Sequence, residues 1–273
     1  MKTQPNPCFL LSEVKMRVIT INLNGIRSAG RKGFFDWMMQ QNADFICLQE
    51  IKAQEADLLD ALYHPLGYQR FCHFAEKKGY SGVGIYSKIT PKHVITGLGW
   101  HHADTEGRYV EIEFEKFCIA SLYLPSGTSG EDRQAVKYEF LDKFAVHLNS
   151  LRAKGKDYII CGDWNIAHKQ IDLKNWRSNQ KNSGFLPAER AWMDTLFGEL
   201  GFVDAFRIVN PEPDQYTWWS NRSQAWANNV GWRIDYQVVT PGLKDKVLSA
   251  SIFREIKFSD HAPVCIDYAF DPI

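Results

Sequence analysis

Short apolar runs rich in β-branched and aromatic residues recur along the chain, at 16–23, 44–49, 82–87, 108–115, 117–124, 157–163, 234–239 and 262–269. Such runs, bounded by turn residues, predict strands. Tyr109 to Glu115 alternates apolar and polar positions, as a strand with one wet face does, whereas Ile159 to Cys161 is continuously apolar, as a strand covered on both faces is. Between these runs the period changes. From Glu131 to Lys154, residues Val136, Phe140, Phe144, Leu148 and Leu151 recur at three- and four-residue steps, which makes one face of a helix. Glu131 and Asp132 at its start, with Arg152 and Lys154 at its end, suit the helix dipole. Pro187 predicts the first turn of a second helix with Trp192, Leu196 and Leu200 on its apolar face. A third is predicted from Lys32 to about Gln41. Strands with helices between them predict an α/β fold of two packed sheets with helices outside. With no repeat, low-complexity block or Pro/Gly/Ser linker to divide it, residues 16–273 read as one domain, and residues 1–15 as a loose, poorly ordered N-terminal extension.

The polar residues that interrupt this pattern cluster at strand ends. Asn22 and Asn24 lie in "ITINLNG", Gln49 and Glu50 end "FICLQE", Asp163 and Asn165 end "IICGDWN", Asp260 and His261 precede a strand in "KFSDHAP", and Asp235 sits inside "WRIDY". Taken singly, an acid at a strand end is more often a turn or cap residue than a catalyst. Together they need another explanation, because a buried carboxylate without a partner costs several kcal/mol. One shared pocket supplies the partners. Residues two apart on a strand face the same side, so Asn22 converges with Asn24, and Asp163 with Asn165. Glu50 with nearby Asp and Asn oxygens is a hard-donor set suited to Mg²⁺ or Mn²⁺. Asp163 could orient or deprotonate a water. Asp235 could hold His261 in one tautomer, while His261 and Asn165 donate to a phosphoryl oxygen. That is the equipment of a phosphodiester hydrolase.

Composition narrows the setting. The chain has 273 residues, 45% hydrophobic and 14% aromatic, enough for a large core and against disorder. Its formal net charge is zero, so any nucleic-acid surface must be a local basic patch. The six cysteines show no C-x-x-C spacing and mostly lie in apolar runs, which speaks against zinc or a disulfide framework and for a reducing cytoplasm. No apolar run is long enough to span a membrane.

The ordered set "NLNGIR" (22–27), "LQEIKA" (48–53), "GYSGVGIYSK" (79–88), "EGRYV" (106–110), "SLYLPSG" (121–127), "GDWNIAH" (162–168), "IDLKNW" (171–176), "KNSGF" (181–185), "YTWWS" (216–220), "GWRIDY" (231–236) and "SDHAP" (259–263) resembles the endonuclease/exonuclease/phosphatase superfamily. Within it, the chain is most similar to the exonuclease III class of AP endonucleases. The resemblance implies a four-layered α/β sandwich of two packed mixed sheets flanked by helices. It implies Mg²⁺- or Mn²⁺-dependent cleavage 5′ to an abasic site in duplex DNA, leaving a 3′-OH and a 5′-deoxyribose phosphate, with 3′-phosphodiesterase and 3′-phosphatase activity at blocked 3′ ends and, beside them, 3′→5′ exonuclease activity. It further implies a monomer.

Residue by residue, the resemblance makes Glu50 the main metal ligand, with Asn24 beside it and Asn22 in support. Asp163 positions the attacking water, Asn165 and His261 contact the scissile phosphate, Asp235 orients His261, and Tyr123 sits near the phosphate or leaving group. Asp163, Asn165, Asp260 and His261 also enter the candidate metal set, Asp260 by hydrogen bonding in the site or helping a second ion. Arg27, Lys52, Gly79 and Tyr80 are expected on the duplex backbone, and Asn179 and Asn182 on phosphates or a pocket wall. Trp218 and Trp232 are expected around a flipped baseless sugar, and Arg222 in the DNA groove. His168 reads as structural. Two positions depart from the family pattern: Asn24 stands where some members have an acid, and Ser126 where others have an amide.

"HKQIDLKNWRSNQKN" adds Lys169, Lys174, Arg177 and Lys181 against the single acid Asp172, a basic strip suited to phosphates or, equally, a solvated loop. An abasic nucleotide has little stacking to lose, so its extrusion is cheap. Two rivals stand beside this reading: an inositol-phosphate or lipid phosphodiesterase of the same superfamily, and a DNA-damage binding protein without catalysis.

Overall fold

The computed structural model describes residues 16–272; the expected extension over residues 1–15 lies outside the described residues. Two six-stranded sheets carry the architecture. The first runs β13 (Val247–Ile252), β14 (Val264–Tyr268), β1 (Met16–Asn22), β2 (Phe45–Gln49), β4 (Val83–Ser87), β3 (Gln69–His73). The second runs β5 (His93–Thr96), β6 (Tyr109–Glu113), β7 (Phe117–Tyr123), β8 (Asp157–Asp163), β12 (Asp235–Val239), β9 (Val203–Asp204). Each sheet is mixed, with a parallel pair at its centre, β1–β2 in one and β7–β8 in the other. A two-stranded ribbon, β10 (Trp218–Trp219) with β11 (Gly231–Trp232), stands apart.

Strand alternation sorts side chains into layers. Val18, Phe45, Cys47, Ile119, Ile159, Cys161, Val239, Val264 and Ile266 face the space between the sheets and form its core. Ile19, Ile21, Ile46 and Leu48 face outward against α1 (Ile26–Arg31) and α2 (Phe34–Gln41). Ala120, Leu122, Tyr158, Ile160 and Val238 face outward against α4 (Glu131–Ala153) and α6 (Pro187–Phe197). Helix, sheet, sheet, helix: the four-layered α/β sandwich expected from the sequence. Short helices α3 (His101–Thr105), α5 (Trp176–Asn179) and α7 (Ala205–Val209) fill the connections. No helix among the described residues is long and apolar enough to cross a membrane.

Several local expectations need correcting. The helix predicted from Lys32 starts only at Phe34, because Gly33 caps it with φ +84°. On α4, Val136 is half-buried and Lys137 takes the buried place. Leu200 lies beyond the end of α6, yet packs on the same core from the following turn. Strands β3, β5 and β13 lie at sheet edges.

Along the inter-sheet space the core changes character toward one end. Thr20, Gln49, Ser121 and Gln237 are fully buried but partnered. Gln49 Nε2 donates to Ser121 Oγ at 2.9 Å, and Gln237 Nε2 to the Val18 carbonyl at 2.9 Å. One step further along the same inward faces come Asn22, Tyr123, Asp163 and Asp235. Both central parallel pairs end here, and register sets Tyr123 opposite Asp163 and Asp235 opposite Asp163.

Candidate active site

Asn22 is the centre of this polar end. Its amide donates to Glu50 Oε1 at 3.0 Å and to Asp163 Oδ2 at 2.9 Å, while its carbonyl oxygen accepts the Asn24 N–H at 2.9 Å. One buried side chain thereby joins the ends of both sheets. Tyr123 Oη donates to Glu50 Oε1 at 2.7 Å. The turns that follow the strands carry left-handed backbones at non-glycine residues, Asn24 (φ +47°), Glu50 (φ +48°) and Asn165 (φ +52°). Such conformations cost roughly 1–2 kcal/mol each for residues other than Gly and cluster where side chains must be aimed.

Glu50 and Asn24 converge on one cation. Lys52 Nζ lies 2.6 Å from Glu50 Oε2 and 2.5 Å from Asn24 Oδ1. Two oxygens aimed at a single ammonium form a hard-donor set of the kind a divalent ion takes. Although burial opposes it, Lys52, Asn22 and Tyr123 hold the Glu50 carboxyl below its usual range, so it stays anionic. A second set, Asp163, Asp235 and His261, has ligand atoms within 4.8 Å of one another. There the histidine is already engaged: Nδ1 is 2.9 Å from Asp235 Oδ2, and Nε2 is 3.9 Å from Asp163 Oδ2. Burial would lower the His261 pKa, but Asp235, Asp163 and Asp260 outweigh it and raise it to about 10. With Nδ1 engaged by Asp235, only Nε2 is left to meet a ligand, and a ring oriented by an acid in this way suits a donor to a phosphoryl oxygen. Burial, then the Asp235 charge, pushes Asp163 up to about 7.

Asn165 is fixed on two sides. Its N–H donates to Asp163 Oδ1 at 2.9 Å, and its amide nitrogen donates to the Leu124 carbonyl at 2.8 Å. One amide N–H is left for a ligand. Asp260 accepts from Asn24 Nδ2 and from Trp218 Nε1, both bonds 2.9–3.0 Å long, and so links the cation side to the ribbon.

Around these groups opens a cleft of about 1150 Å³, whose lining includes Tyr80, Asn179, Asn182, Trp218, Arg222 and Trp232. Trp218 and Trp232 pair across the ribbon at 6.3 Å, nearly perpendicular, and form one wall. Asn182 Nδ2 donates to Asn179 Oδ1 at 2.8 Å. Tyr80 Oη accepts from Arg108 and Arg133. Arg27 is exposed on α1 beside Asp57, and Gly79 is exposed at a turn with open space around it. The basic strip is thinner in space than in sequence. Lys169 pairs with Asp194 and Lys174 with Asp214, while Asp172 is buried between Arg207 and Arg233. His168 bonds the same Asp194 at 2.8 Å, away from the chemistry.

Sequence reasoning missed two residues. Arg108 is buried under Tyr123, its guanidinium 4.7 Å from the ring centroid and donating to the Tyr123 carbonyl. "EGRYV" was a motif, but nothing local said that its arginine faces inward. Lys137 is wholly buried and donates to the Asn165 carbonyl at 2.8 Å; its signal was a lysine three residues before Phe140 on an apolar face.

A buried Asp235–His261 pair facing Asp163, a separate set of oxygens converging on a cation and an aromatic-walled cleft suit a phosphodiesterase-type centre. Comparison with known proteins gives the family. The chain belongs to the Endonuclease/Exonuclease/phosphatase family, whose model matches residues 19–261. It is 41% identical to an exodeoxyribonuclease of Bacillus subtilis (strain 168) over 251 residues, 91% of this chain and 98% of that one. It is 35% identical to the DNA repair nuclease APEX1 of Danio rerio, covering 92% of this chain and 81% of that one. Among solved structures, an AP endonuclease from Archaeoglobus fulgidus superposes with a TM-score of 0.84 at 27% identity, over 93% of this chain and 99% of that one.

Proposed function

We propose that this protein is a DNA-repair AP endonuclease that hydrolyses the phosphodiester 5′ to an abasic site in duplex DNA. Water adds to phosphorus and the P–O3′ bond breaks; the upstream strand ends in a 3′-OH and the phosphate stays on the abasic sugar. The observation that carries this reading is the Asn22 hub, which sets Asp163 and the Glu50/Asn24 pair on either side of one position at the floor of the cleft. Asp163 orients the attacking water. His261, held by Asp235, and the free N–H of Asn165 donate to the phosphoryl oxygens as charge develops on them. Tyr123 stands beside Glu50 at the leaving-group side. Glu50 and Asn24 would hold Mg²⁺ or Mn²⁺, which when bound supplies Lewis-acid stabilisation of the phosphoryl charge. Trp218 and Trp232 form the wall against which an extruded baseless sugar rests, Arg222 enters the DNA groove, and Lys181 meets the duplex backbone. The same bond chemistry suits removal of blocked 3′ ends and 3′→5′ exonuclease action, in line with the exodeoxyribonuclease relative. Buried free thiols at Cys47, Cys118, Cys161 and Cys265 support a reducing, cytoplasmic setting.

The test is a labelled duplex with one abasic analogue, run beside an undamaged recessed 3′ end and a soluble inositol phosphate. Incision 5′ to the lesion, giving a 3′-OH, is expected. Turnover of the inositol phosphate with the lesion left intact would move the protein to another branch of the family, and binding without incision would make it a damage binder.

A further inference from the structure

Lys137 on α4 and Glu189 on α6 are both fully buried, with Nζ 2.6 Å from Oε1. A buried ion pair is poor evidence of stabilisation, since an apolar pair of the same volume commonly does as well. This pair reaches the site by two routes. Lys137 Nζ donates to the carbonyl of Asn165, whose backbone is left-handed. Glu189 Oε2 accepts the N–H groups of Gly184 at 2.7 Å and Leu186 at 3.0 Å. Glu189 Oε1 also accepts from Gln134 Nε2 and Ser183 Oγ. Ser183, Gly184 and Leu186 belong to the cleft wall. The circuit closes through Ala167, whose N–H donates to the Gly184 carbonyl at 2.8 Å.

We propose that the Lys137–Glu189 pair is a positioning device, which fixes the aim of Asn165 and locks it to the 183–186 wall of the cleft. With one amide N–H spent on Leu124, the direction of the other depends wholly on where the 163–165 turn sits, and Lys137 holds that turn from behind. This inference rests on the assignment of the turn to phosphodiester hydrolysis.

The experiment compares K137M/E189Q, which removes both charges without stranding either, with K137R, which keeps a cationic donor. Steady-state incision of the abasic duplex, DNA binding and melting temperature are measured for each. For the double variant kcat falls roughly 10–100-fold, as misplacement of about 1 Å does, with KM nearly unchanged. K137R recovers most of kcat. A folded double variant with wild-type kcat overturns the proposal, as does a loss that merely follows the folded fraction. Should the double variant not fold, E189Q alone decides: a lower kcat at constant KM upholds the proposal, and unchanged kcat refutes it. Wild-type incision is the internal control. If wild type fails to cut, the functional reading falls; if wild type cuts and the variants match it, only the positioning inference falls.

Discussion

His261 stands between two carboxylates, its Nδ1 2.9 Å from Asp235 and its Nε2 3.9 Å from Asp163. Asp235 thus holds the ring while Asp163 faces the side open to substrate. Asp235→Asn should lower kcat by roughly 10²–10⁴-fold with little change in KM, as loss of an orienting acid does. It should also move the acid limb of the pH–rate profile. The Asp163 carboxyl is pushed up to about 7 by burial and then by Asp235; in the proposed water-orienting role it acts as the carboxylate, so the wild-type rate should fall as pH drops below about 7. The substitution removes both the Asp235 charge, which raises Asp163, and the main support of a protonated His261, which lowers Asp163, so the limb is displaced from its wild-type position; an unmoved limb would mean that Asp163 does not set it.

Asn24 contributes a neutral oxygen to the cation site, which leaves Glu50 as its charged donor. Asn24→Asp should lower the half-saturating Mg²⁺ concentration, by roughly threefold or more, because ligand charge count tunes affinity for hard cations. Calorimetric titration of Mg²⁺ and the metal dependence of incision should agree. EDTA should stop incision, and Mg²⁺ or Mn²⁺ should restore it; activity under full chelation would remove the metal from the account.

The strands that build the site were legible because each pairs an apolar run with a polar ending, and those endings meet where the central parallel pairs stop. Edge strands β3, β5 and β13 were not, since a strand paired on one side and wetted on the other lacks a continuous apolar signal. Asp163 was singled out at a strand end, His261 just before a strand and Asp235 inside a strand-like run, and the structure brings the three together. The partners of Lys169 and Lys174 were not, because Asp194 and Asp214 come from distant segments. Lys137 was hidden by its neighbour: Val136 looked like the face residue, and only packing shows that the lysine points inward.

Asp172 ties the loop after β8 to the frame. It accepts from Arg207 and Arg233, each at 2.8 Å, and the Lys169 N–H donates to it at 3.0 Å. Burial opposes its charge, but Arg233 and Arg207 hold its pKa down to about 2. Asp172→Asn should cost roughly 3–5 kcal/mol by leaving buried guanidinium groups short of charge. A depressed acid stabilises the fold above its unfolded pKa, near 4, and loses that contribution as pH falls toward 2. The gap between wild type and variant in denaturant midpoint should therefore be full at pH 6 and shrink below pH 4; a pH-independent gap would assign the loss to packing.

Lys181 lines the cleft with no carboxylate partner among the described residues, whereas Lys169 is held by Asp194. Lys181→Ala should flatten the dependence of log K for duplex DNA on log salt by about one unit. Lys169→Ala should change it little. Equal slopes for the two variants would show that the ion pair opens on binding.

The most direct test of the hydrolytic centre is single-turnover incision of a duplex with one abasic analogue by Asp163→Asn, alongside its affinity for the uncut duplex. Asp163 accepts from Asn22 and from the Asn165 N–H, and an asparagine there keeps the shape but not the charge. The expected result is a folded variant that binds the lesion and cuts it at least about 10³-fold more slowly. A folded variant that cuts at close to the wild-type rate would contradict the account.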